Sequence, residues 1–97
     1  LVLGGIILAS LPAVGKAADA FQGQGLDAEH CQECHGSRGE GALPRVPDFS
    51  RGEGLMRPNA VIADFIRRGG GGCPGFGGIL SSRDVRDVIS HLRSLER

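Results

Sequence analysis

Apolar positions recur at helical spacing in two parts of the chain, and these predict its longest helices. Between Asn59 and Arg68, the apolar side chains lie one, three and four residues apart, at Val61, Ile62, Phe65 and Ile66. Between about Ser82 and Leu95, a longer stripe of the same kind is formed by Val85, Val88, Ile89, Leu92 and Leu95. We expect both segments to be helices that pack their apolar faces against a core.

Residues typical of helix ends flank both segments. Pro58 precedes the first and Gly69 follows it, which are common start and stop signals. Ser81 and Asp84 have the spacing of an N-cap residue and its partner in the first turn. No stretch shows a convincing strand pattern, so the predicted fold class is all-α.

A shorter helix is expected from Gln22 to about Glu33, which makes three to four helices in all. Glycine-rich loops separate these helices, first at residues 36–41 and again at residues 69–78, where seven glycines surround Cys73. A loop this flexible is costly to order unless a bond holds it.

The first residues have the pattern of a secretory signal peptide. Leu1 to Leu11 is almost wholly apolar and is followed by a proline and small residues. Cleavage after Ala17 or after Ala20 fits the small-x-small rule, and the second is favoured, which predicts a signal-peptide remnant at residues 1–20 and one domain at residues 21–97. An uncleaved anchor, and with it membrane contact, is the alternative, but roughly 15 apolar residues fall short of the ~20 that span a bilayer.

Composition limits the partners and the stability of this domain. The chain has 11 basic and 11 acidic residues and no basic run that could follow a phosphate backbone, so nucleic acid is not an expected partner. A domain of about 77 residues without Trp or Tyr is small for a self-sufficient core and usually needs a metal, a disulfide or a cofactor.

The segment Cys31-Gln32-Glu33-Cys34-His35 is the attachment signature of a c-type haem. One helical turn places both thiols on the same side, where they reach the two vinyl groups of the porphyrin, and His35 then lies below the ring as an iron ligand. Half of a zinc site or a redox dithiol is the alternative. A closed zinc site needs four ligands, however, and a redox dithiol would be expected within a βαβ unit.

Export and haem together predict a periplasmic protein.

A carbonyl near Pro44 or Pro47 is a candidate acceptor for the Nδ1–H of His35, which would fix the imidazole ring. The alternative is that these prolines only shape the turns of the loop and have no role toward His35.

The sequence resembles the class I c-type cytochromes, which are small monohaem proteins, over essentially the whole predicted domain. The matching segments are Gly23 with Leu26, Cys31–Gly36, Pro47–Phe49, Phe65–Gly69, Pro74–Gly77, Leu80–Ser81 and Val88–Leu95. In that family the terminal helices cross beside the haem, and a methionine in a Met-Pro-x-Phe-Gly loop is the sixth ligand. The resemblance implies one covalent haem c and one-electron transfer between redox partner proteins. No general base or nucleophile is evident beyond the haem itself, so enzymatic activity is not expected.

Cys73 stands where the family has that methionine. The resemblance therefore implies iron ligation by His35 and Cys73, with Phe76 in the haem-binding loop and a lowered reduction potential, because a thiolate donates more charge than a thioether. Three alternatives stay open: ligation by Met56, whose expected role is core filler; an intermolecular disulfide through Cys73; and five-coordinate iron.

A second departure concerns Asp27 and His91, which stand where the family often has aromatic residues between the terminal helices. A hydrogen bond between them would replace the aromatic contact, and two solvated side chains are the alternative. Neither His91 nor His30 is an expected iron ligand.

The leading functional hypothesis is a one-electron carrier with an exposed haem edge, which Arg38, Arg45, Arg51 and Arg57 could surround.

The alternative is a protein that binds or senses NO or CO after Cys73 leaves the reduced iron. The chain is similar in size and ligand pattern to small His/Cys-ligated cytochromes that bind NO as heterodimers, so a second small cytochrome is a candidate partner. Oxidation of sulfur compounds ranks lower, because so small a domain has little room for a substrate pocket.

Overall fold

The computed structural model describes residues 17–70 and 72–96. Over these residues the chain is helical and contains no β-strand, although two isolated β-bridges occur in its loops. The helices are α1 (Ala20–His30), α2 (Gln32–His35), α3 (Asn59–Arg68) and α4 (Ser82–Ser94), with one 3-10 turn at Phe49–Arg51. The all-α prediction is confirmed. The apolar segment assigned to a signal peptide lies almost wholly outside the described residues, and within them no helix is long and apolar enough to cross a membrane.

The two longest predicted helices are confirmed almost to the residue. Helix α3 has the predicted bounds, and α4 ends one residue earlier than expected. At the start of α4 the Asp84 backbone N–H donates to Ser81 Oγ at 3.0 Å, and the Ser81 N–H donates to Asp84 Oδ2 at 3.0 Å. This reciprocal capping satisfies two N–H groups that the helix itself leaves unpaired.

The first predicted helix differs from the observed one at both ends. It begins at Ala20 rather than Gln22, because the Asp19 side chain caps it by accepting from the N–H groups of Phe21 and Gln22. It ends at His30 because Cys31 adopts φ −121° and ψ −29°, which separates α1 from α2. The first cysteine of the haem motif therefore lies at a joint between two helices.

Helices α1 and α4 form the principal interhelical contact, and it depends on Gly23. Gly23 lies directly against the backbone of Asp87 and Val88, so that a Cβ atom at this position would overlap the Asp87 carbonyl. Val85, Val88, Ile89 and Leu92 are buried along α4, and they join Phe49, Leu55, Ile62 and Leu80 in one core. The missing side chain at Gly23 is what lets the two helices approach this closely.

Arg93 fixes the segment that leads into α3. Its guanidinium donates to Asn59 Oδ1 at 2.8 Å, to the Leu55 carbonyl at 2.9 Å and to the Arg57 carbonyl at 2.8 Å. Met56 lies between the two carbonyls and is 88% exposed. Its expected role as core filler is therefore wrong, because the arginine holds the backbone in a position that directs this side chain outward.

Candidate functional site

The haem motif occupies the joint between α1 and α2. Within it, the His35 N–H donates to the Cys31 carbonyl at 3.0 Å, so that Cys31, Cys34 and His35 share one short turn of helix. Gly36 ends the turn with φ 85°, a left-handed conformation that favours glycine. The chain then folds back, and the N–H groups of Gly41 and Ala42 donate to the carbonyls of His35 and Cys34, at 2.8 and 2.9 Å.

Phe49 stacks on the His35 ring, with ring centroids 4.8 Å apart and an angle of 22° between the planes. Phe49 is buried, and its N–H donates to the Gly39 carbonyl at 2.6 Å, which ties the returning loop to the motif. From the sequence, Phe49 was identified only as part of a family pattern, and its stacking on His35 was not predicted. Asp48, directly before Phe49, caps the 3-10 turn by accepting from the Ser50 N–H at 3.0 Å.

The His35 side chain is suited to metal ligation. Burial lowers the pKa of its imidazole, while the nearby Asp27 carboxylate acts in the opposite direction, so the neutral form that binds metals is favoured. Its Nδ1 atom is buried and has no hydrogen-bond partner among the described residues. The predicted bond to a carbonyl near Pro44 or Pro47 is therefore not formed; Pro47 instead lies half-buried beside Gly41 and Gly54.

Cys73 is presented by a loop that rests on the end of α3. Gly70 and Cys73 exchange two backbone hydrogen bonds of 2.9 Å each. Beyond them, the N–H of Phe76 donates to the Ile66 carbonyl at 2.9 Å. A Cβ atom at Gly75 would come within 2.6 Å of the Arg68 carbonyl, so this glycine is needed for the close approach of loop and helix.

Phe76 joins the Cys73 loop to α1. Its ring meets the ring of His30 edge-on, with centroids 5.6 Å apart, and it packs against the core. Because His30 directly precedes Cys31, this contact ties the loop to the residue next to the first haem cysteine. The structure thus brings Phe76 next to the motif, as expected for a haem-binding loop.

The three thiols influence one another electrostatically. Burial raises the pKa of Cys31 to about 12, and the charges of Asp27, Cys73 and Cys34 act in the same direction. Burial also raises the pKa of Cys73, with Cys34 as the next cause. All three side chains are free and only partly buried.

These residues fit a covalently attached haem. Two thiols one turn apart are available for attachment to its vinyl groups, and a neutral imidazole follows them at once. A third thiol lies within electrostatic range, and the half-exposed ring of Phe65 lies against Gly70 of the same loop. The apolar face of a porphyrin would cover surface of this kind.

Asp27 and His91 meet where α1 crosses α4. Asp27 Oδ2 lies 3.4 Å from His91 Nε2, and the two residues are only 1% and 7% exposed. The alternative of two solvated side chains is therefore wrong. The pair is in contact but not hydrogen-bonded, because neither Asp27 oxygen nor the His91 Nε2 has a hydrogen-bond partner within the described part of the chain.

Replacement of His91 by Phe is expected to destabilise the protein by about 3 kcal/mol, because it leaves the Asp27 carboxylate buried without its partner. The double variant Asp27→Leu with His91→Phe should recover most of this loss, since an apolar pair of similar volume can replace a buried polar one. Thermal unfolding of the wild type, both single variants and the double variant measures the coupling. Equal losses in the single and double variants would contradict it.

The fold and the site together define the chain as a small c-type cytochrome, with covalently bound haem c as its cofactor. Helices α1 and α4 cross at Gly23, and α1 is followed by a thiol pair and an imidazole. Residues 18–92 match the family described as cytochrome c oxidase, cbb3-type, subunit III, and the chain belongs to that family.

Cytochrome c6 of Synechocystis sp. (strain ATCC 27184 / PCC 6803 / Kazusa) is a curated relative. It is 31% identical over 96 residues, which cover 95% of this chain and 77% of the relative. The comparison with solved structures gave no match.

Proposed function

We propose that the protein is a periplasmic carrier that passes one electron at a time between redox partner proteins. In this proposal Cys31 and Cys34 hold the haem, and His35 and Cys73 are the axial ligands of its iron. The haem supplies the reversible change between ferric and ferrous iron. The observation that carries the proposal is the anchoring of the Cys73 loop beside the haem motif, through the hydrogen bond of Phe76 to α3 and its ring contact with His30.

The hydrogen bonds of the loop support Cys73 as the ligand. The loop is attached to α3 through Phe76 and Gly77 and to α1 through the contact between Phe76 and His30, so its position relative to the haem motif is defined from two sides. An anchored loop lowers the entropy lost when its thiol binds iron.

The surroundings of Met56 argue against the competing assignment. Arg93 holds the carbonyl groups on both sides of this residue, and the side chain extends into solvent. The anchored Cys73 loop is therefore the better supported source of the sulfur ligand.

The glycine-rich sequence before Cys73 supports a second candidate function, the binding of NO or CO. Four consecutive glycines precede this residue, and the entropy that they lose on ordering favours release of the thiol. Ferrous iron attracts a thiolate less strongly than ferric iron does, so reduction would release Cys73 and leave the sixth position to a diatomic gas. A second small cytochrome would then be a candidate dimer partner.

Visible and EPR spectra of the holoprotein in both oxidation states distinguish these functions. We expect low-spin ferric signals typical of a thiolate ligand and a low reduction potential. A ferrous form indifferent to NO and CO would support the electron carrier, and stoichiometric uptake of either gas would support the second function. A near-infrared methionine–iron band would overturn the assignment of Cys73. The variant Met56→Leu is the matched control and should leave all spectra unchanged.

A further inference from the structure

Asp19 is part of the folded domain, although it lies upstream of the cleavage bond favoured by the sequence. Its side chain accepts hydrogen bonds from the N–H groups of Phe21 and Gln22, each 3.0 Å long. Its carbonyl accepts from the N–H of Gly23 at 3.0 Å, which closes the first turn of α1. Cleavage after Ala20 would remove this cap and the first turn with it.

A second contact ties Asp19 to the other end of the chain. Its backbone N–H donates to Asp87 Oδ1 at 2.8 Å, and Asp87 is only 3% exposed. Without this donor a buried carboxylate oxygen would lose its partner, which is costly in a protein interior. Asp87 also lies at the crossing where Gly23 meets α4.

The charge of the amino group that cleavage creates also argues against cleavage after Ala20. Cleavage after Ala20 would place a positively charged amino group on Phe21, within the first turn of α1. Positive charge is unfavourable there, because the N–H groups of a helix start carry partial positive charge. Cleavage three residues earlier would leave Asp19 between the amino group and the helix.

We infer that the mature protein begins at Ala18, and that the processing bond is Ala17–Ala18. Gly15-Lys16-Ala17 satisfies the small-x-small requirement of a signal peptidase. Hydrolysis of this bond adds the hydroxyl of one water molecule to the Ala17 carbonyl and its proton to the Ala18 nitrogen. The inference corrects the domain boundary expected at residue 21, and it rests on the export that the proposed function includes.

Mass spectrometry of the holoprotein, purified from a bacterium that exports and matures the natural precursor, is the first test. A haem-bearing chain whose N-terminal peptide begins at Ala18 would support the inference. A chain that begins at Phe21 would overturn it and leave the proposed function standing. A chain that retains its apolar leader with haem attached would overturn the inference and leave the proposed export standing, through an uncleaved anchor.

The precursor variant Asp19→Ala provides a second test that does not depend on mass alone. If Asp19 belongs to the mature protein, loss of the cap should lower the Tm of the holoprotein by roughly 5 °C. If cleavage follows Ala20, the variant residue is removed with the leader, and an unchanged Tm would overturn the inference. Asp19→Asn is the matched control, because asparagine caps a helix about as well as aspartate and should largely preserve the Tm.

Discussion

An alanine at position 23 is expected to lower the Tm of the holoprotein by about 10 °C or more, or to prevent the protein from accumulating. The added methyl group would overlap the carbonyl of Asp87, which belongs to the backbone of α4 and cannot rotate away. Separation of the two helices would open the core around Val88. Forced overpacking costs about 1–3 kcal/mol or more, and each kcal/mol corresponds to roughly 4–8 °C in a domain of this size.

Gly25 is the matched control for this substitution. It lies in the same helix, and a Cβ atom there would have no neighbour within 4 Å. The variant Gly25→Ala should therefore raise the stability by roughly 0.5–1 kcal/mol, because alanine favours the helix over the unfolded chain. Thermal unfolding followed by circular dichroism measures both variants. Similar shifts in the two variants would show that helix propensity, and not the crossing of α1 and α4, controls the stability.

The variant Cys73→Met is expected to raise the reduction potential by an amount on the order of 0.1 V or more. Axial ligands set haem potentials over a range of roughly 0.8 V, and a thioether favours ferric iron less than a thiolate does. A methionine at this position would also restore the family pattern before Pro74 and Phe76. A near-infrared methionine–iron band should therefore appear in the ferric protein. Potentiometric titration and absorption spectra provide the measurements.

The variant Cys73→Ser tests the ligation of iron by Cys73 through removal of the sulfur atom. The hydroxyl is close in size to the thiol but a much weaker iron ligand, so the ferric thiolate signals should vanish while the haem stays attached. If wild type, Cys73→Met and Cys73→Ser gave the same spectra and potentials, ligation by Cys73 would be excluded.

The features that the sequence predicts well are those controlled by neighbouring residues. Helices α3 and α4 were evident from apolar stripes and from Pro58, Gly69 and Ser81 at their ends. The haem motif is local as well, because its chemistry depends on a fixed spacing within five residues. Features that depend on residues close together in the chain produce regular sequence patterns, and the helices of the structure agree with those patterns.

The features that the sequence did not reveal depend on contacts between distant segments. The stacking of Phe49 on His35 requires the loop after α2 to fold back, and nothing in the local pattern specifies this return. Met56 resembles a core residue by type, yet three hydrogen bonds from Arg93 leave it exposed. The early start of α1 depends in part on Asp87, 68 residues away from Asp19.

The candidate site combines both kinds of information. The position of Cys73 as a possible ligand came from the resemblance of its loop to a family pattern. The anchoring of that loop by Phe76 emerged only from the structure, because the contact partner is His30. Ligation itself stays a prediction that the variants at position 73 will test.

The contact between Gly23 and the backbone of Asp87 joins two segments that lie far apart along the chain, and this has a consequence for the order of folding. The turn that holds Cys31, Cys34 and His35 depends on neighbouring residues, so it can form early. The crossing of α1 and α4 requires closure of a long loop of chain, and contacts of this kind form slowly. We therefore expect the haem motif to take shape before the two helices meet.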